Sequence, residues 1–389
     1  MSTATLQQQR VQEFAYKAAR FLALPYFTWR FNTTADPEPD LPAPYVVVAN
    51  HVTELDFFFL GKIFKTPMGF VVGHGLLQNK LLGKLLVDYF GCIGKQKGVT
   101  DMKMTMTMLR RLQQGRNLAI FVEGNTTFDG RTGPFPPATG DLLKAMNAGV
   151  VTVRIEGGYF ALPRWGRGIR KGRTRCKVIN TFTKDRLAQM SGEEINGILQ
   201  QDLYEDAYAR QEKEQVAYRG KNPAQGIEHT LYLCPQCESL NTIKGQGRQV
   251  VCASCQAKAE YTDKGYLEGD FTHRSILDWT VWQAGQIRQG LRGNGGLSRL
   301  HDEEHTLLQQ MDEGEPKEVA RGLMEMDSHR LSVGEVSVPI DAITGFETFR
   351  KNILQLSLKD GRHLQTAPKE GFNALKYRDL YQLIREERM

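Results

Sequence analysis

The feature that most constrains the fold is a series of short apolar segments that alternate with helical patterns. The first segment, Y-V-V-V-A-N at 45–50, shows no alternation of polar and apolar residues, as expected for a strand in a parallel sheet covered on both faces. Further apolar segments lie at 69–74, 90–95, 117–124 and 150–158. Helical patterns lie between them, near 55–64, 78–89, 100–114 and 139–148. This alternation predicts an α/β domain with a mostly parallel sheet flanked by helices.

The length of the chain and its changes in character predict several domains. A chain of 389 residues is too long for one ordinary hydrophobic core. We predict an α/β domain at 1–225, a compact cysteine-bearing segment at 228–262, a linking helix with a flexible joint at 263–300, and a small β-rich domain at 301–389. The last domain shows short strands followed by a closing helix, and it resembles a pleckstrin-homology or GRAM-like barrel.

Charge and hydropathy narrow the classes of protein that fit. The net charge of +6 is too small by itself to indicate a nucleic-acid binder. No stretch approaches the roughly 18 unbroken apolar residues of a membrane-spanning helix. The N-terminal sequence M-S-T-A-T-L-Q-Q-Q-R lacks the charged-then-apolar plan of a signal peptide. We therefore expect a cytoplasmic protein with no nucleic-acid partner, whose contact with a membrane is peripheral.

The end of the first apolar strand carries a candidate catalytic pair. His51 follows the strand directly, and Asp56 lies five positions later, where a helix is predicted. Strand ends at the carboxyl edge of an α/β sheet border the crevice in which ligands bind. A carboxylate that accepts the imidazole N–H fixes the tautomer and leaves the other ring nitrogen free to take a proton. Taken alone the pattern is short, and it also describes a helix-capping histidine and a surface aspartate.

Two other strand ends place charged side chains at the same edge. The segment F-G-C-I-G-K-Q-K at 90–97 ends with Lys95 and Lys97, and F-V-E-G-N-T-T-F at 121–128 supplies Glu123 and a turn with backbone N–H groups. One strand ends in a base, one in a pair of cations and one in a carboxylate-bearing turn. Together these strand ends predict a single active site. The sequence has no G-x-S-x-G serine elbow, so the base would activate a hydroxyl group of the substrate itself.

These blocks resemble the glycerolipid acyltransferases of the 1-acylglycerol-3-phosphate acyltransferase type. Four blocks match in order and spacing: N-H-V-T-E-L-D at 50–56, G-C-I-G-K-Q-K at 91–97, F-V-E-G-N-T-T-F at 121–128 and G-V-V-T-V-R-I-E-G-G at 149–158. The resemblance covers roughly residues 10–215. It implies transfer of a fatty acyl group from acyl carrier protein or coenzyme A to the hydroxyl of a lysoglycerolipid. It also implies His51 as general base, Asp56 as its orienting partner, and Glu123 with Gly124 in the acceptor site.

The chain departs from the family pattern at phosphate-binding positions. The family's Thr-Arg is Asn125-Thr126 here, which removes a cation often placed on the acceptor phosphate. Lys97 occupies the family's arginine position, and lysine lacks the bidentate fork that matches phosphate. We predict that Asn125, Thr126, Lys95 and Lys97 bind substrate and that 1-acylglycerol-3-phosphate is the acceptor. A lysophospholipid with another head group, and a non-catalytic lipid-binding or scaffold protein on the same fold, remain open.

Four cysteines form a second candidate site. Cys234, Cys237, Cys252 and Cys255 give C-x2-C-x14-C-x2-C, and thiolates at this spacing can close a tetrahedral zinc site on two knuckles joined by a hairpin. Four protein ligands leave no open position for chemistry. We therefore predict a structural zinc ribbon, with a redox dithiol as the alternative. The ribbon lacks the basic and aromatic face of a nucleic-acid binder, which favours a role in docking or bracing.

A basic run lies late in the α/β domain. The segment R-W-G-R-G-I-R-K-G-R-T-R-C-K at 164–177 has seven basic residues and no acidic residue. It fits a solvated loop, and it also fits a patch for anionic lipid head groups or for an acidic acyl carrier protein. A helix at 5–24 and an aromatic segment at 25–31, predicted as a strand or an interfacial hairpin arm, add an apolar contact. Together these features predict a peripheral protein at the cytoplasmic face of the membrane.

Overall fold

The structure is a computed structural model that describes residues 3–77, 79–95, 102–302, 306–311 and 316–388. The chain divides into two compact units. The first comprises residues 1–96, 101–164 and 168–220, and the second comprises residues 97–100, 165–167 and 221–389. The finer division into four parts stays a prediction. Among the described residues, no helix is both long and apolar enough to cross a membrane.

In its described part, the first unit alternates helices and strands. The strands are β1 (Thr33–Ala35), β2 (Tyr45–Ala49), β3 (Met68–Gly73), β4 (Ile93–Lys95), β5 (Asn117–Phe121), β6 (Gly149–Glu156) and β7 (Thr174–Phe182). The helices are α1 (Thr3–Leu22), α2 (Leu24–Phe31), α3 (Asp56–Ile63), α4 (His74–Leu77), α5 (Lys80–Lys84), α6 (Met102–Gln113), α7 (Thr139–Ala145), α8 (Gly158–Ala161), α9 (Lys184–Ala188), α10 (Gly192–Leu203) and α11 (Ala207–Glu214). A π-helical turn at Leu85–Tyr89 follows α5.

The strands form one sheet in the order β1-β7-β6-β2-β5-β3-β4. At its centre, β2 pairs in parallel with β6 on one side and with β5 on the other, and β3 and β4 extend the parallel set. At the other side, β7 runs antiparallel to β6, and β1 pairs with β7 in parallel. All five residues of β2 are buried, which explains why its sequence shows no alternation. The predicted α/β fold with a mostly parallel sheet is confirmed.

The parallel strands bring three of the predicted site segments to one edge of the sheet. β2 ends at Ala49, two residues before His51, and β4 ends at Lys95 itself. β5 ends at Phe121, two residues before Glu123. Since parallel strands share a direction, their carboxyl ends lie at the same edge, which is where open α/β sheets bind ligands.

The aromatic segment after α1 is a helix, so the predicted strand or hairpin arm is wrong. Pro25 lies in the first turn of α2, where its missing N–H would have no partner within the helix. Phe27 stacks on Phe58 of α3, with ring centroids 3.7 Å apart. Phe31 packs on Phe59 of the same helix at 5.0 Å. Phe27 and Phe31 of the segment predicted as a strand are therefore on the packing face of a helix.

The second unit is built from antiparallel sheets and two long helices. Its first sheet contains β8 (Ile243–Gln246), β9 (Gln249–Cys252), β10 (Lys258–Tyr261) and β11 (Leu267–Gly269), and α12 (Ile276–Leu291) follows. The remaining elements are β12 (Leu300–His301), β13 (Thr306–Gln310), β14 (Lys317–Gly322), β15 (Met324–Met326), β16 (Arg330–Val333), β17 (Val336–Pro339), β18 (Ile343–Phe349), β19 (Ile353–Leu358), β20 (His363–Thr366) and α13 (Ala374–Glu387). The predicted strands and closing helix are present, and the pleckstrin-homology or GRAM-like assignment stays a prediction.

Candidate active site and metal centre

The predicted pair, His51 and Asp56, is in hydrogen-bond contact. Asp56 is the first residue of α3, and its Oδ2 lies 2.9 Å from His51 Nδ1. Three further donors hold the carboxylate: Val52 N at 2.7 Å, Thr53 N at 2.9 Å and the Thr53 hydroxyl at 2.7 Å. Because a carboxylate only accepts, His51 Nδ1 carries the ring proton and Nε2 is left as an acceptor. The Asp56 side chain is fully buried, whereas that of His51 is 21% exposed.

The direction in which the chain leaves β2 is fixed by Asn50, a residue that the sequence reasoning assigned no role. Asn50 is fully buried. Its Nδ2 donates to the carbonyl oxygen of Ile155 at 3.0 Å, and its Oδ1 accepts from Ile155 N at 2.7 Å. These two bonds tie the residue before His51 to β6. An amide side chain at the point where a buried strand ends is the signal that could have identified it.

Glu123 accepts hydrogen bonds from two backbone N–H groups, those of His51 and Gly133. Its Oε1 accepts from His51 N at 2.7 Å, and its Oε2 accepts from Gly133 N at 2.6 Å. Burial raises the pKa of Glu123 to about 8, although both backbone hydrogen bonds act in the opposite direction. In the structure Glu123 therefore positions the backbone of His51, and its predicted contact with the acceptor stays a prediction.

The turn after Glu123 lies beside the end of β4. Gly124 adopts φ +72°, and a Cβ placed there would lie 3.9 Å from Lys95 Nζ. The backbone N–H of Thr127 donates to the carbonyl oxygen of His51 at 3.1 Å, which joins the turn to this histidine. The structure thus brings Lys95, Gly124 and His51 into one site. Lys97 lies outside the described residues.

Arg164 also contacts this turn, and sequence reasoning did not place it there. Its Nη1 donates to the carbonyl oxygen of Thr126 at 3.0 Å and lies 3.5 Å from Asn125 Oδ1. The guanidinium carbon lies 4.2 Å from the centroid of the Phe128 ring. A cation therefore lies against the Asn125-Thr126 turn, supplied by a distant segment. The sequence showed that Arg164 belongs to the basic run, but it did not show that the run folds against this turn.

Aromatic rings lie beside the His51–Asp56 pair. The His51 ring stacks on Phe121, with centroids 4.4 Å apart and planes 16° from parallel. Along α3, Phe57 is 41% exposed and meets Phe70 of β3 edge to face at 6.4 Å. By contrast, Phe59 is buried. The apolar run after Asp56 thus divides into a core face and a partly open face beside the site.

In the second unit, the four predicted cysteine ligands converge. Cys234 Sγ lies 3.8 Å from Cys255 Sγ, and Cys237 Sγ lies 3.8 Å from Cys252 Sγ. All four sulfur atoms lie within 4.8 Å of one another. A tetrahedral Zn²⁺ with Zn–S bonds of about 2.3 Å requires sulfur atoms about 3.8 Å apart. The donor set and spacing therefore fit zinc, which would stabilise the fold and leave no position for a substrate.

The two cysteine pairs have equivalent backbone geometry. The carbonyl oxygen of Cys234 accepts from Glu238 N at 2.9 Å, and that of Cys252 accepts from Gln256 N at 3.0 Å. Glu238 and Gln256 both adopt the left-handed region, with φ of 57° and 65°. One knuckle is thus repeated on each side of the hairpin formed by β8 and β9. Two matched turns that aim four thiols at one point favour a metal over a redox dithiol.

Comparison with known proteins gives a family match within the first unit. Residues 34–156 match the family model described as Acyltransferase, a span that contains His51, Asp56 and Glu123. The match covers about a third of the chain and supports an acyltransferase. One similar solved structure is the 1-acyl-sn-glycerophosphate (LPA) acyltransferase PlsC from Thermotoga maritima. The identity is 17% and the TM-score 0.44, over 55% of this chain and 84% of that one. Comparison with curated proteins gives no match.

Proposed function

We propose that the first unit transfers a fatty acyl group from a thioester donor to the free hydroxyl of a lysoglycerolipid, with 1-acylglycerol-3-phosphate as the acceptor. The observation that carries this proposal is the contact between His51 and the buried Asp56, within the acyltransferase match. The donor is the thioester of coenzyme A or of acyl carrier protein. The second unit holds a structural zinc ion on its four cysteines.

The reaction follows from the tautomer of His51. Nε2 takes the proton of the acceptor hydroxyl while Asp56 stabilises the imidazolium that forms. The oxygen attacks the thioester carbonyl, and backbone N–H groups bordering the site receive the negative charge on the carbonyl oxygen. When the intermediate collapses, the new ester C–O bond stays and the C–S bond breaks. The thiolate leaves with the proton from His51, so the histidine is restored.

Cations near the turn suit an acceptor that carries a phosphate. Lys95 Nζ lies beside Gly124, and the guanidinium of Arg164 lies against Thr126. Two cations near a single anionic group stabilise a phosphomonoester more than a zwitterionic head group. This charge balance favours 1-acylglycerol-3-phosphate over a lysophospholipid with a larger head group.

The acceptor and the product are bilayer lipids, so we propose that the protein works at a membrane surface as a peripheral protein. α1 and α2 expose large apolar side chains, with Phe14, Phe21 and Leu22 between 75% and 81% exposed. An amphipathic helix of this kind is stabilised when its apolar face enters the headgroup boundary. The cytoplasmic face is the expected side.

The proposal is tested with purified protein and a panel of lysolipids that differ in head group, each offered with acyl-coenzyme A or acyl carrier protein. Products are identified by mass spectrometry. We expect 1-acylglycerol-3-phosphate to give the highest kcat/KM. A preference for another lysolipid would change the proposed acceptor but leave the proposed acyl-transfer reaction unchanged. No ester product with any pair would contradict the enzyme and favour a lipid-binding role.

A further inference from the structure

A cationic groove lies in the first unit, outside the crevice that holds His51. It has a volume of about 480 Å³. Its walls come from the end of α2, the start of β7 and the segment after α11, and they include Asn32, Lys171, Arg173, Glu214 and Arg219. The volume falls in the range of roughly 300–1,000 Å³ that is usual for small-ligand sites.

The charges on the groove are unbalanced. Lys171, Arg173 and Arg219 are exposed, and Glu214 is the one carboxylate among the lining residues. Three cations against one carboxylate leave a net charge of +2 on the walls. Glu214 pairs with Arg173 of the groove at 2.9 Å and with Arg175 at 2.9 Å, so its charge is shared with a guanidinium outside the groove. The groove therefore attracts anions.

The other residues of the basic run do not line the groove. Lys177 and Arg175 form ion pairs with Glu156, at 2.9 and 3.5 Å, and Arg170 is buried. The predicted patch at 164–177 for anionic lipid head groups or for an acidic acyl carrier protein stays a prediction. Within the run, Lys171 and Arg173 line the groove, and the exposed Arg167 lies outside it, paired with Glu370.

Exposed aromatic rings border the groove on one side. Lys171 Nζ lies 4.5 Å from the centroid of the Trp29 ring, which joins the groove to α2. Trp29 is 61% exposed, and the Tyr26 ring, 6.2 Å away, is 55% exposed. Tryptophan and tyrosine are enriched where one side of a ring meets hydrocarbon and the other meets water. A cationic groove beside such rings suits a phospholipid whose anionic head group enters the groove and whose acyl chains lie against the rings.

The groove opens at the same edge of the sheet as the catalytic site. Glu156, near the carboxyl end of β6, pairs with Arg175 of β7, so the start of β7 lies at the carboxyl edge of the parallel strands. β7 lies two strands from β2, which is about 10 Å at the usual spacing. A bilayer that meets the groove therefore also meets the edge that carries His51.

We propose that this groove binds the phosphodiester head group of an anionic phospholipid in the bilayer, at a site separate from that of the acyl acceptor. A lipid is favoured over an acidic carrier protein because the groove accommodates one small anionic group and is bordered by exposed aromatic rings. The proposal is independent of the acyl-transfer reaction, since it concerns binding to the membrane alone.

The test compares two charge-reversal variants of the full chain. Lys171→Glu/Arg219→Glu changes the groove. Lys184→Glu/Arg186→Glu changes exposed residues just beyond the opposite end of β7 and gives the same net charge, +2 instead of +6. Co-sedimentation is measured with phosphatidylcholine vesicles, with and without one quarter phosphatidylglycerol. We expect the groove variant to lose at least about tenfold in affinity for the anionic vesicles, and the control far less. Equal losses in both variants would overturn the proposal.

A second measurement reports the groove directly in the folded wild-type protein. Of the four tryptophans, Trp165 and Trp279 are fully buried, Trp282 is partly buried and Trp29 is exposed, so Trp282→Phe serves as the control that should leave the lipid-induced fluorescence change in place. Brominated phosphatidylglycerol vesicles should quench the emission of Trp29, and Trp29→Phe should abolish the quenching without abolishing binding. Inorganic phosphate that displaces the protein from vesicles at low millimolar concentration would show a simple phosphate site and overturn the proposal. Unchanged vesicle binding of the groove variant, with lower activity only toward acyl carrier protein, would overturn it in favour of carrier docking.

Discussion

The candidate metal centre and the candidate catalytic site differ in how far apart their residues lie in the sequence. Four cysteines within 234–255 bring their sulfur atoms within 4.8 Å of one another. The catalytic site instead combines residues from β2, β4, β5 and β6 with Arg164, and one of its hydrogen bonds joins residues 105 positions apart. Ligand spacing alone defines the first site. The second exists only when the sheet has formed, so the two should respond differently to perturbation.

Metal removal gives the largest expected effect. Zinc bound to four thiolates stabilises small domains by roughly 10–16 kcal/mol in apparent free energy at neutral pH. We expect one zinc per chain by elemental analysis, and we expect chelation to unfold residues 230–260 as measured by hydrogen exchange. Exchange in β2 and β5 should change far less.

The matched variants separate metal binding from thiol chemistry. Cys252→Ser should lose the metal, whereas Cys176→Ser, at a buried cysteine outside the cluster, should retain it. Metal-free protein with four freely reactive thiols and an intact fold at 230–260 would contradict the structural zinc. The cysteine cluster and the site around His51 would then no longer differ in their response to metal removal.

Removal of the base should have the next largest effect. His51→Ala should lower kcat by about 10²–10⁴, the usual contribution of a positioned general base. Asp56→Asn should also be severe, because an amide can donate to Nδ1 and stabilise the wrong tautomer. His329→Ala removes an exposed imidazole in the second unit and serves as the control. Steady-state rates near the wild-type value for His51→Ala would rule out this histidine as the base.

The sequence predicted those parts of the site that depend on short separations. His51 and Asp56 are five residues apart on a single strand–helix turn, so their spacing alone made the contact plausible. The central strand was equally clear, because five consecutive buried residues leave few other structures. The cysteine knuckles follow the same rule.

The parts that were missed depend on tertiary packing. Asn50 binds Ile155 only because β2 and β6 are neighbours, and Arg164 reaches Thr126 only because the segment after α8 folds back over the turn. Aromatic content favoured an extended structure for α2, but contacts with α3 override that local preference. The basic run appeared uniform because a sequence does not show which side chains find acidic partners.

Arg164 gives a smaller and more selective prediction. If its guanidinium stabilises the acceptor phosphate, Arg164→Gln should lower kcat/KM for 1-acylglycerol-3-phosphate by about 10–100-fold, as expected for a charge-assisted hydrogen bond. The effect on lysophosphatidylcholine should be several-fold smaller. Arg110→Gln, at an exposed arginine on α6, is the control. Equal losses on both acceptors would mean that Arg164 only holds the turn in place.

The smallest effect concerns the pH dependence of stability through Glu123. Burial raises the pKa of this carboxyl to about 8, from an ordinary value of 4.5. Between these values the folded protein holds a proton that the unfolded chain releases, so this group's contribution to the free energy of unfolding falls as pH rises. Glu123→Gln keeps the shape and removes the ionisation. The Tm of the wild type relative to this variant should therefore fall between about pH 5 and pH 8.

The control for Glu123 is Glu193→Gln, which alters an exposed carboxylate in the first turn of α10. Both variants are followed by thermal unfolding at the same pH values. If the difference in Tm between wild type and variant falls with pH for Glu123→Gln but not for Glu193→Gln, the backbone of His51 is held by a carboxyl group that ionises only at high pH. A flat or rising difference would mean that the N–H groups of His51 and Gly133 outweigh burial and keep Glu123 ionised. In either case the titrating carboxyl group binds a residue 72 positions away in the chain. The cysteine cluster has no contact between residues so far apart in sequence.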